Sequence, residues 1–300
     1  MIFHRFIKLY IIVVLKIRHG GNIMKKILKL VCTLVLCVSL VGCGSGDNST
    51  SSLKGKVTLD GSTSMEKLVN ALKETMVEKY PDLVLEPQFT GSGTGIKSII
   101  SKSVDIGNSS RNLKDEEKNQ GAVENVVAID GIAVVVNNKN TVTTLTNEQL
   151  IKIYKGEIRN WKEVGGTDTN IVVVGREASS GTRGAFEEIL KIEEQCKYSN
   201  ELNGTGAVVA KIMEIDGAIG YVSLDIVEDN KDKLKAVALN DVMPSKETIK
   251  DGSYALQRPF VMATNGTIEE QSDLVKAVFE FIYSEDGKYV IEAVGLVATN

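Results

Sequence analysis

The sequence predicts an α/β fold, on two observations. β-Branched apolar runs alternate with segments whose apolar residues recur every three to four positions. Three strand-to-helix turns are built from the same small residues: Ser62-Thr63-Ser64, Gly91-Ser92-Gly93 and Ser180-Gly181-Thr182. Alternating strands and helices imply mostly parallel sheets with helices on their faces. No fixed-period repeat is visible.

The elements follow in order. Residues 56–60 read as the first strand. The helix after the first turn keeps Met65, Leu68, Val69, Leu72 and Met76 on one face, and Tyr80-Pro81 stops it. Residues 83–89 form the next strand, and the second turn opens a helix over 96–101. A short strand over 104–107 leads into Asn108-Ser109-Ser110-Arg111. The apolar run 123–137 is expected to break at Asp130-Gly131. A helix over 147–155 precedes Trp161, which is expected in a loop. The strand 171–174 runs into the third turn, whose helix extends to about residue 191. A helix over 206–215, strands over 218–222 and 258–263, and helices over 273–283 and 288–294 complete the chain.

The N-terminal segment reads as a targeting signal. Met24-Lys25-Lys26 begins a basic stretch, residues 30–41 are a short apolar run, and Leu40-Val41-Gly42-Cys43 closes it. That closing tetrapeptide resembles the lipobox of bacterial lipoproteins, which implies cleavage before Cys43 and a diacylglycerol on its thiol. The run is short for a membrane span, and two acyl chains on one residue anchor stably. Residues 1–23 read as an extension upstream of the true initiator, Met24. Codons for Gly20-Gly21 can spell a purine-rich ribosome-binding sequence at the right distance. Residues 24–42 are then the signal peptide and 43–54 a polar tether.

Residues 1–42 carry seven Lys/Arg and no Asp/Glu. The remaining chain therefore holds 11 more acidic than basic side chains, which argues against a nucleic-acid partner. Both histidines, His4 and His19, precede Cys43, so the mature chain has no imidazole base or metal ligand. Of the four cysteines only Cys196 would remain unmodified, which rules out an intramolecular disulfide.

Each of the three turns delivers a strand into a helix start, where unpaired N–H groups and the helix dipole favour an anion. Glycine lets the backbone approach closely, and the hydroxyls donate without bulk. Arg176, just before the third turn, adds a fork that fits a tetrahedral oxyanion. Ordinary helix capping is the competing reading of each turn taken singly. Taken together, the three suggest helix ends converging on one anion. Gly91 to Ser98 departs from a nucleotide-binding P-loop, because Ile96 stands where Gly must precede Lys, and the glycine spacing does not match a dinucleotide fold. Serine-hydrolase and metal-phosphatase readings lack their histidines and carboxylate clusters.

These pieces, in this order, resemble the phosphate-binding proteins of bacterial phosphate ABC transporters in their Gram-positive lipoprotein form. The marks are Gly61-Ser62-Thr63-Ser64-Met65, Thr90-Gly91-Ser92-Gly93, the segment from Asp105 to Arg111, Asp130-Gly131-Ile132-Ala133-Val134, the segment from Ile153 to Trp161, that from Arg176 to Thr182, and Arg258-Pro259. The resemblance implies a two-lobed type II periplasmic-binding-protein fold. Each lobe would be a mixed, mostly parallel sheet flanked by helices, joined by crossing hinge strands. Residues 55–131 and 256–300 would form lobe I, and 132–255 lobe II. It further implies phosphate ligation by Thr63, Ser64, Ser92, Arg176, Ser180, Gly181 and Thr182. It implies no cofactor, no metal and no catalysis. The partners would be inorganic phosphate, the permease subunits and, through Cys43, the outer face of the cytoplasmic membrane; the chain is expected to be a monomer.

One departure stands out. Many family members carry an aspartate at the position of Ser110, where the carboxylate accepts the proton of monohydrogen phosphate and excludes sulfate. Ser110 accepts without charge. Asp130 is the candidate to take over that role, with a turn cap as the alternative. Arg111 has two readings, ligand contact or pairing with a nearby carboxylate. A binder of sulfate or molybdate and an exported phosphohydrolase are the other functions the sequence leaves open.

Overall fold

The computed structural model describes residues 53–299. The extension at 1–23, the 24–42 signal, Cys43 and most of the tether lie outside the described residues. Strand β1 (Gly55–Gly61) enters a 3-10 turn at Thr63–Met65 and helix α1 (Glu66–Lys79). Strand β2 (Leu83–Gln88), helix α2 (Ser92–Ile100), strand β3 (Ile106–Ser109), helix α3 (Asp115–Asn119) and strand β4 (Ala122–Val123) follow, and then the long β5 (Val126–Asn137). Next come β6 (Thr144–Leu145), α4 (Asn147–Tyr154), a 3-10 turn at Trp161–Val164, β7 (Val172–Arg176) and α5 (Gly181–Leu190). Strand β8 (Asn200–Leu202), α6 (Thr205–Glu214), β9 (Ala218–Ser223), α7 (Leu224–Asp229), β10 (Leu234–Ala236), β11 (Ala238–Leu239) and α8 (Lys246–Lys250) complete the middle. Strand β12 (Gln257–Asn265), α9 (Asp273–Tyr283), α10 (Glu285–Ala293) and β13 (Val297–Ala298) close the chain.

The main path of the large mixed sheet runs β2-β1-β3-β12-β5-β9-β7-β8. Its two wings are parallel, as the alternation predicts: β1 pairs with β2 and β3, and β7 with β8 and β9. Its centre is antiparallel, so the expectation of mostly parallel pairing needs correction. The chain crosses the middle once outward on β5 and once back on β12, and two such neighbours must oppose each other. Arg258 therefore stands opposite Asp130, and Gln257 opposite Gly131.

The expected break at Asp130-Gly131 does not occur. Strand β5 continues through it because partners hold it on both sides, β12 up to Gly131 and β9 from Ile132. Gly131 lets α8 pack close, since a Cβ there would lie 2.6 Å from Ile249 Cδ1 and push that side chain aside. The local turn signal is overruled by pairing.

Two large apolar cores lie along this sheet. One gathers Leu59, Met65, Leu68, Ile106, Ala128, Phe260, Phe279 and Leu296. The other gathers residues from Ile132 to Leu256, with Tyr154, Trp161, Phe186 and Tyr221 at its centre. The chain passes from one core to the other between Ala128 and Ile132, and returns between Leu256 and Phe260. Helix α1 buries Leu68, Val69, Leu72 and Met76, the stripe its sequence predicts. Trp161 is buried too, in a 3-10 turn where a loop was expected, with Nε1 donating to the Gly217 carbonyl at 2.9 Å.

Candidate functional site

The three small-residue turns meet. Ser62 N donates to the Asn108 carbonyl at 3.0 Å, and Gly91 N to the Gly61 carbonyl at 2.8 Å, which ties the first and second turns to the end of β3. Gly91 holds φ at +106°, a backbone that glycine adopts without strain. Asp60 anchors the second turn by accepting from Thr90 Oγ1 at 2.6 Å and Ser98 Oγ at 3.0 Å. The third turn then packs onto the second: Gly93 N donates to the Ser179 carbonyl at 2.9 Å.

Buried hydroxyls fill the meeting point. Ser62 Oγ donates to Ser110 Oγ at 2.9 Å, and Ser110 N donates to Ser92 Oγ at 3.1 Å. Ser64 Oγ and Thr182 Oγ1 lie 2.7 Å apart. Thr63 Oγ1 is 3.1 Å from Thr205 Oγ1, and Ser64 Oγ 3.3 Å. Thr205 opens helix α6 after Gly204, so a fourth helix start joins the three expected ones. Thr63, Ser64, Ser92, Ser110, Gly181 and Thr182 are thus brought together. Ser180 stands at the same turn as the N-cap of α5, accepting from Arg183 N at 3.3 Å.

Two buried arginines flank the hydroxyls in matching fashion. Arg176, 2 % exposed, meets Glu177 with Nε and Nη2, both at 2.9 Å, and turns Nη1 to Thr205 Oγ1 at 3.3 Å. Arg258, also 2 % exposed, meets Asp130 Oδ2 with Nε at 2.9 Å and Nη2 at 2.8 Å. Its Nη1 donates to Thr182 Oγ1 at 2.6 Å and to the Ser110 carbonyl at 3.3 Å. Each guanidinium is held on one edge by a carboxylate and presents its free nitrogen at a threonine hydroxyl.

Asp130 lies behind this layer. Its Oδ2 faces Arg258, while Oδ1 accepts from Ser223 Oγ at 2.8 Å and Leu224 N at 3.3 Å. Burial pushes its carboxyl upward, opposed by the Arg258 charge and these donors. An acceptor-only arrangement of this kind suits the ionised form, and its hydrogen bonds go to Arg258, Ser223 and Leu224 rather than to the cluster hydroxyls. Of the two readings of Arg111, the structure shows the second: Nη1 and Nη2 hold Glu117 at 2.9 and 2.7 Å. Arg183 bridges Glu187 and Glu201 at 2.8 and 2.7 Å. Burial pushes the Cys196 thiol up to about 11, which makes it a poor nucleophile.

Sequence reasoning passed over Ser62, Thr205 and Arg258 as site residues. Gly204-Thr205-Gly206 has the composition of the other turns and was open to the same argument. The place of Arg258 depends on strand pairing, which local sequence does not reveal.

The arrangement offers buried hydroxyls and two arginine nitrogens to one small anion. The comparisons agree with that chemistry. A family model described as a PBP superfamily domain matches residues 47–286. The phosphate-binding protein PstS of Staphylococcus haemolyticus is 34 % identical over 294 residues, covering 90 % of this chain and 92 % of that protein. PstS of Staphylococcus aureus strain USA300 is 32 % identical over 277 residues, with 88 % and 84 % covered. Among solved structures, a Clostridium perfringens protein described as a phosphate ABC transporter substrate-binding protein with bound phosphate superposes at a TM-score of 0.78. It is 36 % identical and covers 82 % of this chain and 100 % of its own. An ABC-type phosphate transport receptor from Vibrio cholerae gives 0.67 at 32 % identity, with 82 % and 100 % covered.

Proposed function

The chain belongs to the family of PstS phosphate-binding proteins within the PBP superfamily, and on that premise we propose that it captures inorganic phosphate outside the cytoplasm and hands it to an ABC permease. It is a transport binding protein and not an enzyme. The observation that carries the reading is the convergence of Ser62, Ser64, Ser92, Ser110, Thr182 and Thr205 between Arg176 and Arg258.

A micromolar dissociation constant needs only about −8 kcal/mol net. Hydrogen bonds to a charged group contribute about 1.5–3 kcal/mol each, before the cost of stripping water from a dianion is subtracted. Several donors of this kind suffice. Each arginine is already paired with a carboxylate, so the site carries little net charge. The anion is held by oriented dipoles, which suits a protein that must also release it.

Thr63, Ser64, Ser92, Ser110, Arg176, Ser180, Gly181 and Thr182 are the proposed phosphate contacts, joined by Thr205 and Arg258. In this geometry Asp130 acts on the ligand through Arg258. Residues 55–131 with 256–300 make lobe I and 132–255 lobe II of a type II binding protein, with β5 and β12 as the hinge. The division between the two apolar cores supports that assignment. The lipobox-like Leu40-Val41-Gly42-Cys43 supports an anchor at Cys43. Retention of radiolabelled phosphate by the purified protein, alongside incubation with a chromogenic phosphate ester, tests the function. Tight one-to-one retention without ester turnover is expected; turnover would replace transport by hydrolysis.

A further inference from the structure

A second buried carboxyl stands beside Asp130. Asp225, in the first turn of α7, is 2 % exposed, and its Oδ1 has no hydrogen-bond partner among the described residues. Asp130 and Asp225 flank one turn: the Ser223 hydroxyl and Leu224 amide just before Asp225 donate to Asp130 Oδ1 at 2.8 and 3.3 Å. The groups facing this corner come from several elements. Strand β5 supplies Asp130, β12 supplies Arg258, and α1 supplies Lys67. The chain near Gly295 covers it, where a Cβ would lie 3.6 Å from the Asp225 Cβ. Lys67 Nζ goes to Asp229 at 2.8 Å and to the Asp225 main-chain oxygen at 3.5 Å. Arg258 is committed to Asp130 and, through Nη1, to Thr182 and the Ser110 carbonyl.

We propose that Asp225 sets the charge behind the phosphate site. As a neutral acid it leaves the Arg258–Asp130 pair balanced; as a carboxylate it adds a negative charge that opposes the bound dianion. The inference rests on the phosphate reading above. An unpaired buried carboxylate is costly, so the neutral acid is the natural resident of this corner. Burial first, and then the charge of Asp130, push the Asp225 carboxyl up to about 7, against the pull of the Ser223 hydroxyl, Lys67 and Arg258. The acid therefore changes charge close to neutrality. Binding of the anion favours its protonated form, and by linkage protonation favours the anion. Asp225 is a positioning residue, acting through Arg258 rather than on the ligand.

Calorimetric titration with inorganic phosphate, on wild type and Asp225→Asn, tests this from about pH 6 to about pH 8.5. The ionisation of phosphate itself is common to both proteins and cancels in the ratio of dissociation constants. That ratio, wild type over variant, should rise severalfold across the range, with a limit of about tenfold per pH unit. A ratio that does not change with pH overturns the inference while leaving phosphate binding intact. Absence of phosphate binding in both proteins overturns the inference together with the function it rests on. Should Asp225→Asn fail to fold, the carboxyl-carbon resonance of Asp225 in wild type gives the same answer. It should titrate near neutrality and move to higher pH when phosphate is added. A resonance that stays ionised through that range contradicts the proposal.

Discussion

Arg258 donates from Nη1 to Thr182 Oγ1 at 2.6 Å while its Nε holds Asp130 Oδ2 at 2.9 Å. One buried guanidinium thus ties β12 and β5 to the start of α5. The same side chain that balances a buried carboxylate also orients a hydroxyl of the anion site. Stability and binding are therefore linked at this residue, and substitutions can separate them.

Arg258→Met leaves Asp130 buried without its cation. Breaking such a pair costs about 3–5 kcal/mol, read as a drop in the urea midpoint. Adding Asp130→Leu removes the stranded charge. The double variant should recover most of the lost stability, since apolar replacement of a buried pair is often neutral. Its phosphate affinity should stay low. Recovery of binding along with stability would show that Arg258 serves the fold alone.

Gly181→Ala probes the meeting of the second and third turns. A Cβ at 181 would overlap Ser92 Oγ and lie 2.8 Å from Ser110 Oγ. Alanine suits the first turn of a helix, so the clash is with the facing turn. Overpacking of this kind costs about 1–3 kcal/mol, which, falling on the ligand-bound arrangement of the turns, weakens phosphate binding roughly 5- to 150-fold. Calorimetry on the variant checks it; unchanged affinity would mean the turns do not close around the ligand in this way.

Arg176→Gln keeps a donor near Thr205 and removes the charge paired with Glu177. Loss of one charge-assisted hydrogen bond should weaken phosphate binding by about 1.5–3 kcal/mol. Restoring only the charge with Arg176→Lys should recover part of it, because a single ammonium cannot hold Glu177 on two nitrogens and face Thr205 as well. Titrations of the two variants beside wild type give the order.

Asp225 also leaves a mark on stability. Its carboxyl is pushed up to about 7 in the folded chain, against an ordinary value near 3.8. Between those values the native state holds a proton that the unfolded chain has lost, so this contribution is present at low pH and fades as pH rises through about 7. Relative to Asp225→Asn, the wild type should lose stability as the buffer is taken from about pH 5 to about pH 8. Urea unfolding at intervals across that range reads the difference. Parallel curves for the two proteins would place the Asp225 carboxyl back at its ordinary value.

The legible parts of the site were those written locally. Ser, Gly and Thr at a strand-to-helix turn have few uses, so Ser62-Thr63-Ser64, Gly91-Ser92-Gly93 and Ser180-Gly181-Thr182 stood out, as did Arg176. The fourth turn at Thr205 follows a strand of only three residues, Asn200–Leu202, too short to register as one. Arg258 meets Asp130 only because β5 and β12 pair with a particular register, a long-range fact. The continuity of β5 was hidden for the same reason: Asp130-Gly131 looks like a turn until partners on both edges are known. Helices α7 and α8 have six and five residues and no periodicity to read. Hydrophobic pattern placed the α1 stripe and the span of α9 well, because a helix face repeats several times over their length.

The central claim is that this cluster of hydroxyls and arginine nitrogens holds phosphate. Parallel calorimetric titrations of the purified protein with phosphate and with sulfate test it most directly. The account predicts one phosphate per chain with a dissociation constant of about micromolar or tighter, and no tighter binding of sulfate. Heat of binding with sulfate alone, or with neither anion, would contradict it.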